Sequence, residues 1–281
     1  MTKLLMNGRK IASQILEEVK EQIEEKDLNP KLIIVRVGRS AEQEVFIRSK
    51  EKAGKKVGVA VDVVQLPENI PQKQLNLTLK SLSEDPSVDG ILLQLPIPKH
   101  LSPYNAITHI TPSKDVDVLH PYNLGRLIYG DESLAPCTPS AILTILEEYG
   151  IDLEGKNVVV VNNSILIGKP LFILLTNRFA TVDVCHIKTV DLKSHTLRAD
   201  IVITATGVPE LIKSSMIKEG SVIVDAGISV VEGKVLGDVS KEVWPKARYI
   251  TPVPGGVGPV TVAMVMRNLL HLVLSQIQKI S

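Results

Sequence analysis

Residues 157–170, NVVVVNNSILIGKP, decide the fold of the chain. Four consecutive valines indicate a strand that is buried on both faces, as in a parallel sheet. The polar turn of Asn162, Asn163 and Ser164 follows, and Gly168 and Pro170 begin a predicted helix. A strand that runs through a tight turn into a helix N-terminus leaves N–H groups unpaired, and such groups bind phosphate. We call this strand, turn and helix start the elbow.

The elbow has two interpretations. Either it binds the phosphates of a dinucleotide, or it is an ordinary buried strand–helix unit. The G-x-G-x-x-G fingerprint of dinucleotide sites is absent, because Gly168 is the only glycine in the stretch. The local residues do not decide between the two interpretations.

Apolar strands and amphipathic helices alternate on both sides of the elbow, which predicts an α/β fold with two parallel sheets and right-handed crossovers. The predicted strands are residues 31–37, 57–66, 88–95, 158–161, 181–186, 200–207 and 221–228. The predicted helices include one that buries Ile11, Ile15, Val19 and Ile23, one at residues 40–53, one with Leu75, Leu79 and Leu82 on one face, one capped by Thr138, and a last one at residues 260–280.

The composition excludes several classes of partner. The net charge is +1 and aromatic residues make up 3% of the chain, which argues against nucleic acid and anionic membranes. No apolar run is expected to span a bilayer, which requires about 20 residues. Cys137 and Cys185 form no spacing motif, so reduced thiols in a cytoplasmic protein are the simplest interpretation.

Three polar groups stand out in the first half of the chain. Lys50 shares a helix face with Phe46, so it belongs either to a solvated charged surface or to a desolvated site where its pKa is lowered. Gln94 interrupts the apolar strand end GILLQLPIP, where it is either satisfied by backbone or faces a ligand. Asp115 and Asp117 point to one side of an extended segment, unless one of them caps a turn. Two acids without further ligands do not predict a metal site.

The stretch TPVPGGVGPVT, residues 251–261, is the most unusual one in the chain. Its prolines and glycines predict a rigid loop whose backbone can approach a ligand closely, directly before a helix. A simple linker between two elements would not require so rigid a backbone.

Together these motifs resemble one family, the bifunctional methylenetetrahydrofolate dehydrogenase/cyclohydrolases of one-carbon metabolism. The resemblance runs from the first helix to the last. It rests on F-x-x-x-K at residues 46–50, GILLQLPIP, KDVD at residues 114–117, PCTP at residues 136–139, ADIVITATG, IKEGSVIVDAGI and PVPGGVGPVTVAM.

The resemblance implies two domains with a cleft between them and two activities. A folate-binding, three-layer α/β domain is expected at residues 1–137 plus 256–281, because the final helix returns to the first domain. A Rossmann-like domain that binds a nicotinamide dinucleotide is expected at residues 138–255. The family oxidises 5,10-methylenetetrahydrofolate by hydride transfer to that cofactor and hydrolyses the methenyl product to 10-formyltetrahydrofolate. A cytoplasmic homodimer, formed through the nucleotide domain, is also implied.

The resemblance also assigns roles by position. Lys50 matches the catalytic lysine, Gln94 the glutamine that contacts it, and Asp117 the aspartate that holds the pterin. The remaining folate contacts are expected at Phe46, Leu93, Leu95, Pro254, Gly255, Gly256, Val257 and Gly258. Contacts with the cofactor are expected at Asn162, Asn163, Ser164, Gly168, Pro170, Ile187, Thr206, Gly207 and Ile228.

Two departures from the family pattern lie in the folate domain. Phe46 stands where the family usually has tyrosine, so the ring is kept and the hydroxyl is lost. Val118 replaces a glycine, and because valine takes positive φ with difficulty, the loop is expected to sit differently. These departures leave two alternatives open: a dehydrogenase whose cyclohydrolase activity is silenced, and a folate-binding protein without activity.

The departures in the elbow concern the choice of cofactor. The family commonly reads Gly-Arg-Ser where this chain has residues 162–164, Asn-Asn-Ser, and Ile187 replaces a usual serine. The missing arginine and serine are the groups expected to meet the 2′-phosphate of NADP. Family precedent therefore favours NADP, whereas the local residues favour NAD. Lys169, Arg178 and Lys188 are candidates to meet the phosphate, and Asp183 is a weaker candidate to hold a free ribose because it falls in mid-strand.

Overall fold

The computed structural model describes residues 4–280, with all of their side chains except those of residues 41, 42, 279 and 280. The chain divides into two compact units. We call residues 13–137 with 262–280 the N-terminal unit, and residues 4–12 with 138–261 the central unit.

The described helices are α1 (Gly8–Glu25), α2 (Ala41–Val57), α3 (Gln72–Glu84), α4 (Pro103–Ile107), α5 (Pro121–Ile128), α6 (Cys137–Glu148), α7 (Gly168–Thr176), α8 (Leu192–Arg198) and α9 (Val257–Ile280). The described strands are β1 (Leu4–Leu5), β2 (Lys31–Val37), β3 (Ala60–Leu66), β4 (Gly90–Leu93), β5 (Asn157–Val161), β6 (Thr181–Cys185), β7 (Ile201–Thr204), β8 (Val222–Asp225), β9 (Ser229–Val231), β10 (Lys234–Leu236) and β11 (Tyr249–Ile250).

The N-terminal unit is built on a parallel sheet of three strands in the order β3-β2-β4. The central strand β2 is almost completely buried, as its unbroken apolar run predicts. The part of α9 in this unit packs closely on β4, since a Cβ added to Gly90 would lie 2.5 Å from the Leu269 side chain. The last helix therefore returns to the first domain, as predicted.

The central unit is built on a parallel sheet of six strands in the order β1-β11-β8-β7-β5-β6, and β9 and β10 form a separate hairpin. The chain moves from β5 to β6 in one direction and then to β7 on the other side of β5. This reversal is the topological switch point at which open α/β sheets bind ligands, and the elbow follows β5 there. Leu4 and Leu5, which the sequence places with the first domain, pair with β11 in this sheet.

Several predicted ends of elements are corrected by the structure. Helix α2 continues past residue 53 to Val57, where Gly58 ends it with φ of 82°, so β3 begins at Ala60 instead of residue 57. Helix α6 includes Cys137, so Thr138 lies inside the helix and does not cap it. In the central unit β6, β7 and β8 are shorter than predicted by one to four residues, because the chain turns as soon as each strand leaves the sheet, whereas β5 begins one residue earlier than predicted.

Helix α9 corrects the expectation that no segment could span a bilayer. Residues Val257–Gln278 are long and apolar enough by length and composition, but 67% of the relevant window is buried inside the protein. A buried helix of this kind is apolar because it belongs to the protein core.

Candidate active site

Lys50 and Gln94 meet in the N-terminal unit at the carboxyl end of β4. Helix α2 places Lys50 in the interior, where only 6% of the residue is exposed, so it does not belong to the solvated surface. Its Nζ donates a hydrogen bond of 2.7 Å to Gln94 Oε1. The Gln94 Nε2 donates to the carbonyl oxygen of Leu95, at 3.0 Å. The glutamine is therefore held by neighbouring backbone and presents its oxygen to the lysine.

Burial lowers the pKa of Lys50 below its usual value, and the charge of Asp117 opposes this shift. The partner in direct hydrogen-bond contact is the neutral oxygen of Gln94, which does not stabilise the ammonium as a carboxylate would. A lysine in this setting gives up its proton more readily than an exposed lysine does.

Asp115 and Asp117 have different surroundings. Asp115 is buried and accepts hydrogen bonds from the His120 N–H, at 2.8 Å, and from Asn123 Nδ2, at 3.0 Å. The chain turns at residues 116–117, so the segment is not extended and Asp115 caps the following loop. Asp117 instead interacts with Cys137, which favours its ionised form, and the Cys137 thiol donates to the neighbouring Val116 carbonyl oxygen, at 3.5 Å. Burial raises the pKa of Asp117 to about 6, and the charge of Lys50 moderates this rise.

Val118 adopts φ of 58°, although its side chain is fully buried. The expectation that valine would avoid positive φ was wrong. The surrounding core fixes the left-handed backbone, a conformation in which glycine would be unstrained.

Cys137 and Asn268 support this group, and neither was predicted from the sequence. The Asn268 Nδ2 lies 3.0 Å from the carbonyl oxygens of both Val116 and Ala135, and 3.4 Å from Cys137 Sγ. Asn268 thereby connects α9 to the Asp117 loop and to the start of α6. The only sequence signal was one asparagine within a long apolar helix, and a spacing rule cannot relate it to a loop about 150 residues earlier.

The other predicted folate contacts fall into two groups. Phe46 lies one turn before Lys50 on α2 and is partly buried, Leu93 ends β4, and Leu95 follows Gln94. The loop at residues 254–258 belongs to the central unit, where Gly255 has φ of 114° and the Gly256 N–H donates to the Pro252 carbonyl, at 2.7 Å. A Cβ added to Gly8 would lie 1.9 Å from the carbonyl oxygen of Gly256, so the loop is packed directly against the start of α1.

The elbow in the central unit is organised by the side chain of Asn162. Its Oδ1 accepts hydrogen bonds from the N–H groups of Ser164, at 2.8 Å, and Gly168, at 3.0 Å. Its Nδ2 donates to the carbonyl oxygen of Ala205 after the adjacent strand β7, at 2.6 Å. The side chain of Asn162 therefore holds the chain in a tight turn, which the glycines of a G-x-G-x-x-G fingerprint would allow through their flexible backbone.

Two observations test whether this elbow fits a dinucleotide. A Cβ added to Gly168 would lie 2.0 Å from the Asn162 carbonyl oxygen, so the turn and α7 approach as closely as glycine permits. Among the described residues, the N–H groups of Asn163, Ile165 and Leu166 have no hydrogen-bond partner. Unpaired N–H groups at the carboxyl end of a switch-point strand fit a pyrophosphate.

The remaining predicted cofactor contacts lie on turns at the same edge of the sheet. Thr206 and Gly207 follow β7 and Ile228 follows β8. Pro170 is buried in the first turn of α7. Ile187 is 98% exposed in the loop after β6, next in the sheet to β5.

The charged candidates near the elbow differ in how free they are. The Asp183 carboxylate accepts hydrogen bonds from Arg198 and His195, and it lies in mid-strand opposite Val159. Arg178 donates to the Leu174 carbonyl, at 3.1 Å, and to Glu147. Lys169 and Lys188 are exposed. Within residues 4–280, no group of three or more His, Cys, Asp or Glu residues could hold a metal ion.

A dinucleotide elbow in one unit and a desolvated, proton-exchanging lysine in the other define a class, the α/β enzymes that depend on a dinucleotide and move a proton. Comparison with known proteins narrows this class. The family model for the catalytic domain of tetrahydrofolate dehydrogenase/cyclohydrolase matches residues 6–117, and the model for its NAD(P)-binding domain matches residues 136–277. The chain belongs to this family, which confirms the resemblance inferred from the motifs.

Individual relatives match along nearly their whole length. The bifunctional protein FolD of Nautilia profundicola is 46% identical over 269 residues, covering 94% of this chain and 95% of the relative. The crystal structure of bifunctional FolD from Campylobacter jejuni has a TM-score of 0.93 at 42% identity, covering 98% of this chain and 100% of that one. FolD of Trypanosoma brucei, complexed with NADP cofactor and inhibitor, has a TM-score of 0.93 at 34% identity, covering 99% of this chain and 100% of that one.

Proposed function

We propose that Lys50, Gln94 and Asp117 carry the two reactions of this enzyme in the cytoplasm. The first reaction oxidises 5,10-methylenetetrahydrofolate to the methenyl cation. The second hydrolyses that cation to 10-formyltetrahydrofolate with release of a proton. When bound, NAD(P) supplies the hydride acceptor of the first reaction. The single observation that carries the proposal is the buried hydrogen bond of 2.7 Å between Lys50 Nζ and Gln94 Oε1.

Each residue has one task in this scheme. Burial lowers the pKa of Lys50, and in this scheme its neutral form accepts a proton from the water that attacks the methenyl carbon. Gln94 accepts one N–H of the amine and so orients its lone pair. Asp117 in its ionised form accepts hydrogen bonds from the amino and ring N–H groups of the pterin. The ring of Phe46, without a hydroxyl, contributes stacking only.

Retention of the cyclohydrolase activity is supported by the loop at Val118. The two departures that suggested a silenced enzyme are Phe46 and Val118. Since Val118 holds the left-handed conformation that a glycine would take, Asp117 is still presented beside Cys137. The Lys50–Gln94 contact does not involve the missing tyrosine hydroxyl.

Hydrolysis of methenyltetrahydrofolate without nucleotide tests the proposal. Replacement of Lys50 by methionine keeps the length of the side chain and removes the proton acceptor, so we expect the rate to fall by about 10²-fold or more. The matched control is Lys52→Met, because Lys52 is an exposed lysine on the same helix. Equal rates in both variants would exclude Lys50 as the proton carrier.

For the cofactor, we propose that the enzyme uses NADP but discriminates weakly against NAD. The NADP in the Trypanosoma brucei relative supports the first part. The second part is supported by the fully exposed Ile187 and by Asn163, which carry no charge for the 2′-phosphate. Asp183 is occupied by Arg198 and His195, so NAD gains no ribose contact from it either.

Rates measured with each nucleotide test this choice of cofactor. We expect values of kcat/KM for NADP and NAD that differ by less than tenfold. The double variant Asn163→Arg, Ile187→Ser should raise the preference for NADP by at least tenfold, since a charged bidentate contact is worth about 1.5–3 kcal/mol. A strong NADP preference in the unmodified enzyme would contradict the proposal.

We also propose that the protein is a homodimer formed through the central unit, as in the family. Sedimentation equilibrium at micromolar concentration measures this directly. A monomer at every concentration would contradict it.

A further inference from the structure

Two buried carboxylates in the central unit have no role in the chemistry above. Asp225 ends β8 and is 3% exposed, and Asp238 follows β10 and is 0% exposed. An ionised carboxylate is costly to bury unless its hydrogen bonds offset the loss of water. The positions of those hydrogen bonds therefore indicate what the two residues hold in place.

Asp238 holds the turn that follows β7. Its Oδ2 accepts hydrogen bonds from the Thr206 N–H, at 2.6 Å, and from the Thr204 hydroxyl, at 2.7 Å. Bonds from neutral donors to a buried carboxylate are short and strong. The direction of the chain at Thr206 is fixed by a residue more than 30 positions later in the sequence.

Asp225 holds the turn that follows β8. Its Oδ1 accepts hydrogen bonds from the N–H groups of Gly227, at 2.9 Å, and Asp238, at 3.1 Å, and its Oδ2 accepts one from Val239, at 3.0 Å. One carboxylate thus fixes its own turn and also the backbone that carries the other carboxylate.

Each carboxylate packs directly against a glycine that lies next to or near the other carboxylate in the sequence. A Cβ added to Gly227 would lie 2.0 Å from Asp238 Oδ1, and a Cβ added to Gly237 would lie 2.1 Å from Asp225 Oδ2. The Ser229 hydroxyl adds a bond of 2.6 Å to the Gly207 carbonyl oxygen. The turns after β7 and β8 are thereby joined into one body, at the carboxyl ends of paired strands.

We propose that Asp225 and Asp238 are positioning residues for the nicotinamide end of the cofactor. The joined turns carry Thr206, Gly207 and Ile228, which the family resemblance assigns to the cofactor, and they lie on the side of β5 opposite the loop of Ile187. The carboxylates do not touch the cofactor; they hold the backbone of these turns in one conformation. The proposal rests on the dehydrogenase function proposed above. It predicts that loss of Asp238 impairs contacts to the nicotinamide half and spares those to the adenosine half.

Binding of whole and truncated cofactors to the full chain separates this role from a general structural one. Titration calorimetry is performed with NADP and with 2′-phospho-ADP-ribose, which lacks the nicotinamide ring, and likewise with NAD and ADP-ribose. For Asp238→Ala we expect at least tenfold weaker binding of NADP and less than twofold change for the fragment. Asp238→Asn, which keeps an oxygen for the Thr206 N–H, should restore binding to within threefold of the unmodified protein.

Two further measurements keep the test decisive. Cyclohydrolase activity without nucleotide should stay within twofold in both variants, since the residues proposed to carry this reaction, Lys50, Gln94 and Asp117, lie in the N-terminal unit. If Asp238→Ala does not fold, Thr204→Val removes one bond to the same carboxylate and should weaken NADP binding about threefold while sparing the fragment. Equal weakening of cofactor and fragment, or no weakening, would overturn the proposal. An unmodified protein that binds NADP without oxidising the folate would instead refute the proposed function and leave the binding comparison valid.

Discussion

Replacement of Val118 by alanine and by glycine would measure the strain stored beside Asp117. Val118 has φ of 58° and is completely buried. Val116, two residues earlier, is equally buried and is not among the residues with positive φ. The alanine and glycine variants at each position leave cavities of nearly equal size, so the difference between them reports on the backbone and not on lost packing.

The expected magnitudes follow from backbone conformation. At Val116 the glycine variant should be less stable than the alanine variant by ~0.5–1 kcal/mol, because glycine loses more entropy on folding. At Val118 the left-handed backbone costs alanine about 1–2 kcal/mol that glycine avoids. The order should therefore reverse, with glycine more stable by ~0.5–1 kcal/mol. The difference between the two comparisons is the strain itself, about 1–2 kcal/mol.

The assay must follow the N-terminal unit by itself. The single tryptophan, Trp244, lies in the central unit, so its fluorescence reports on the other unit and serves as an internal control. Native-state hydrogen exchange of amides in β2 and β4 gives the opening free energy of the N-terminal unit. If glycine and alanine differ by the same amount and in the same direction at both positions, Val118 stores no strain and the reasoning fails.

Three other predictions concern titration and close packing. Since the pKa of Asp117 is raised to about 6, KM for the folate should rise as pH falls through that value, and Asp117→Asn should remove this dependence in steady-state assays. Burial raises the pKa of Asp225 from 3.8 to about 6, so the folded state binds the proton more tightly than the unfolded state does. The free energy of unfolding should therefore decline as pH rises from 4 to 6, by at most about 3 kcal/mol. Urea unfolding of Asp225→Asn should show a smaller decline over this range, and an equal decline would contradict the assignment to Asp225. Gly168→Ala should destabilise the central unit by about 1–3 kcal/mol and weaken nucleotide binding, whereas Gly125→Ala, with open space around it, should not destabilise; tolerance at Gly168 would disprove the close approach.

The fold could be predicted from the sequence because its strands are buried on both faces. An unbroken apolar run such as residues 158–161 has few alternatives to a strand in a parallel sheet. The ends of elements were harder, since they depend on single capping residues such as Gly58. The pairing of Leu4 and Leu5 with β11 could not be predicted, because a strand of two residues is too short to show the alternation of apolar and polar residues that indicates a strand.

The active site could be predicted in part for a related reason. Lys50 and Gln94 carry recognisable chemistry at the ends of predicted elements, and the structure brings them to hydrogen-bond distance. The conformation of Val118 could not be predicted from the sequence. The backbone preference of valine describes an isolated residue, whereas here packing in the surrounding core determines φ. Asn162, Asn268 and Asp238 act through partners that only the tertiary fold brings near, and Asn162 performs by its side chain what a motif search seeks in glycine.

The path of the chain has a consequence for synthesis. Residues 13–137 leave the ribosome before residues 138–261, but they lack the segment at residues 262–280 that supplies Leu269 and Asn268 to the N-terminal unit. The central unit combines residues 4–12 with residues 138–261, and all of these precede residue 262. At ~5–20 residues per second, the first-made unit waits on the order of ten seconds for its last helix. In the order of synthesis the unit that holds Lys50 is therefore interrupted by residues 138–261, so a chain that stops at residue 261 contains the whole described central unit but lacks the helix residues that complete the N-terminal unit.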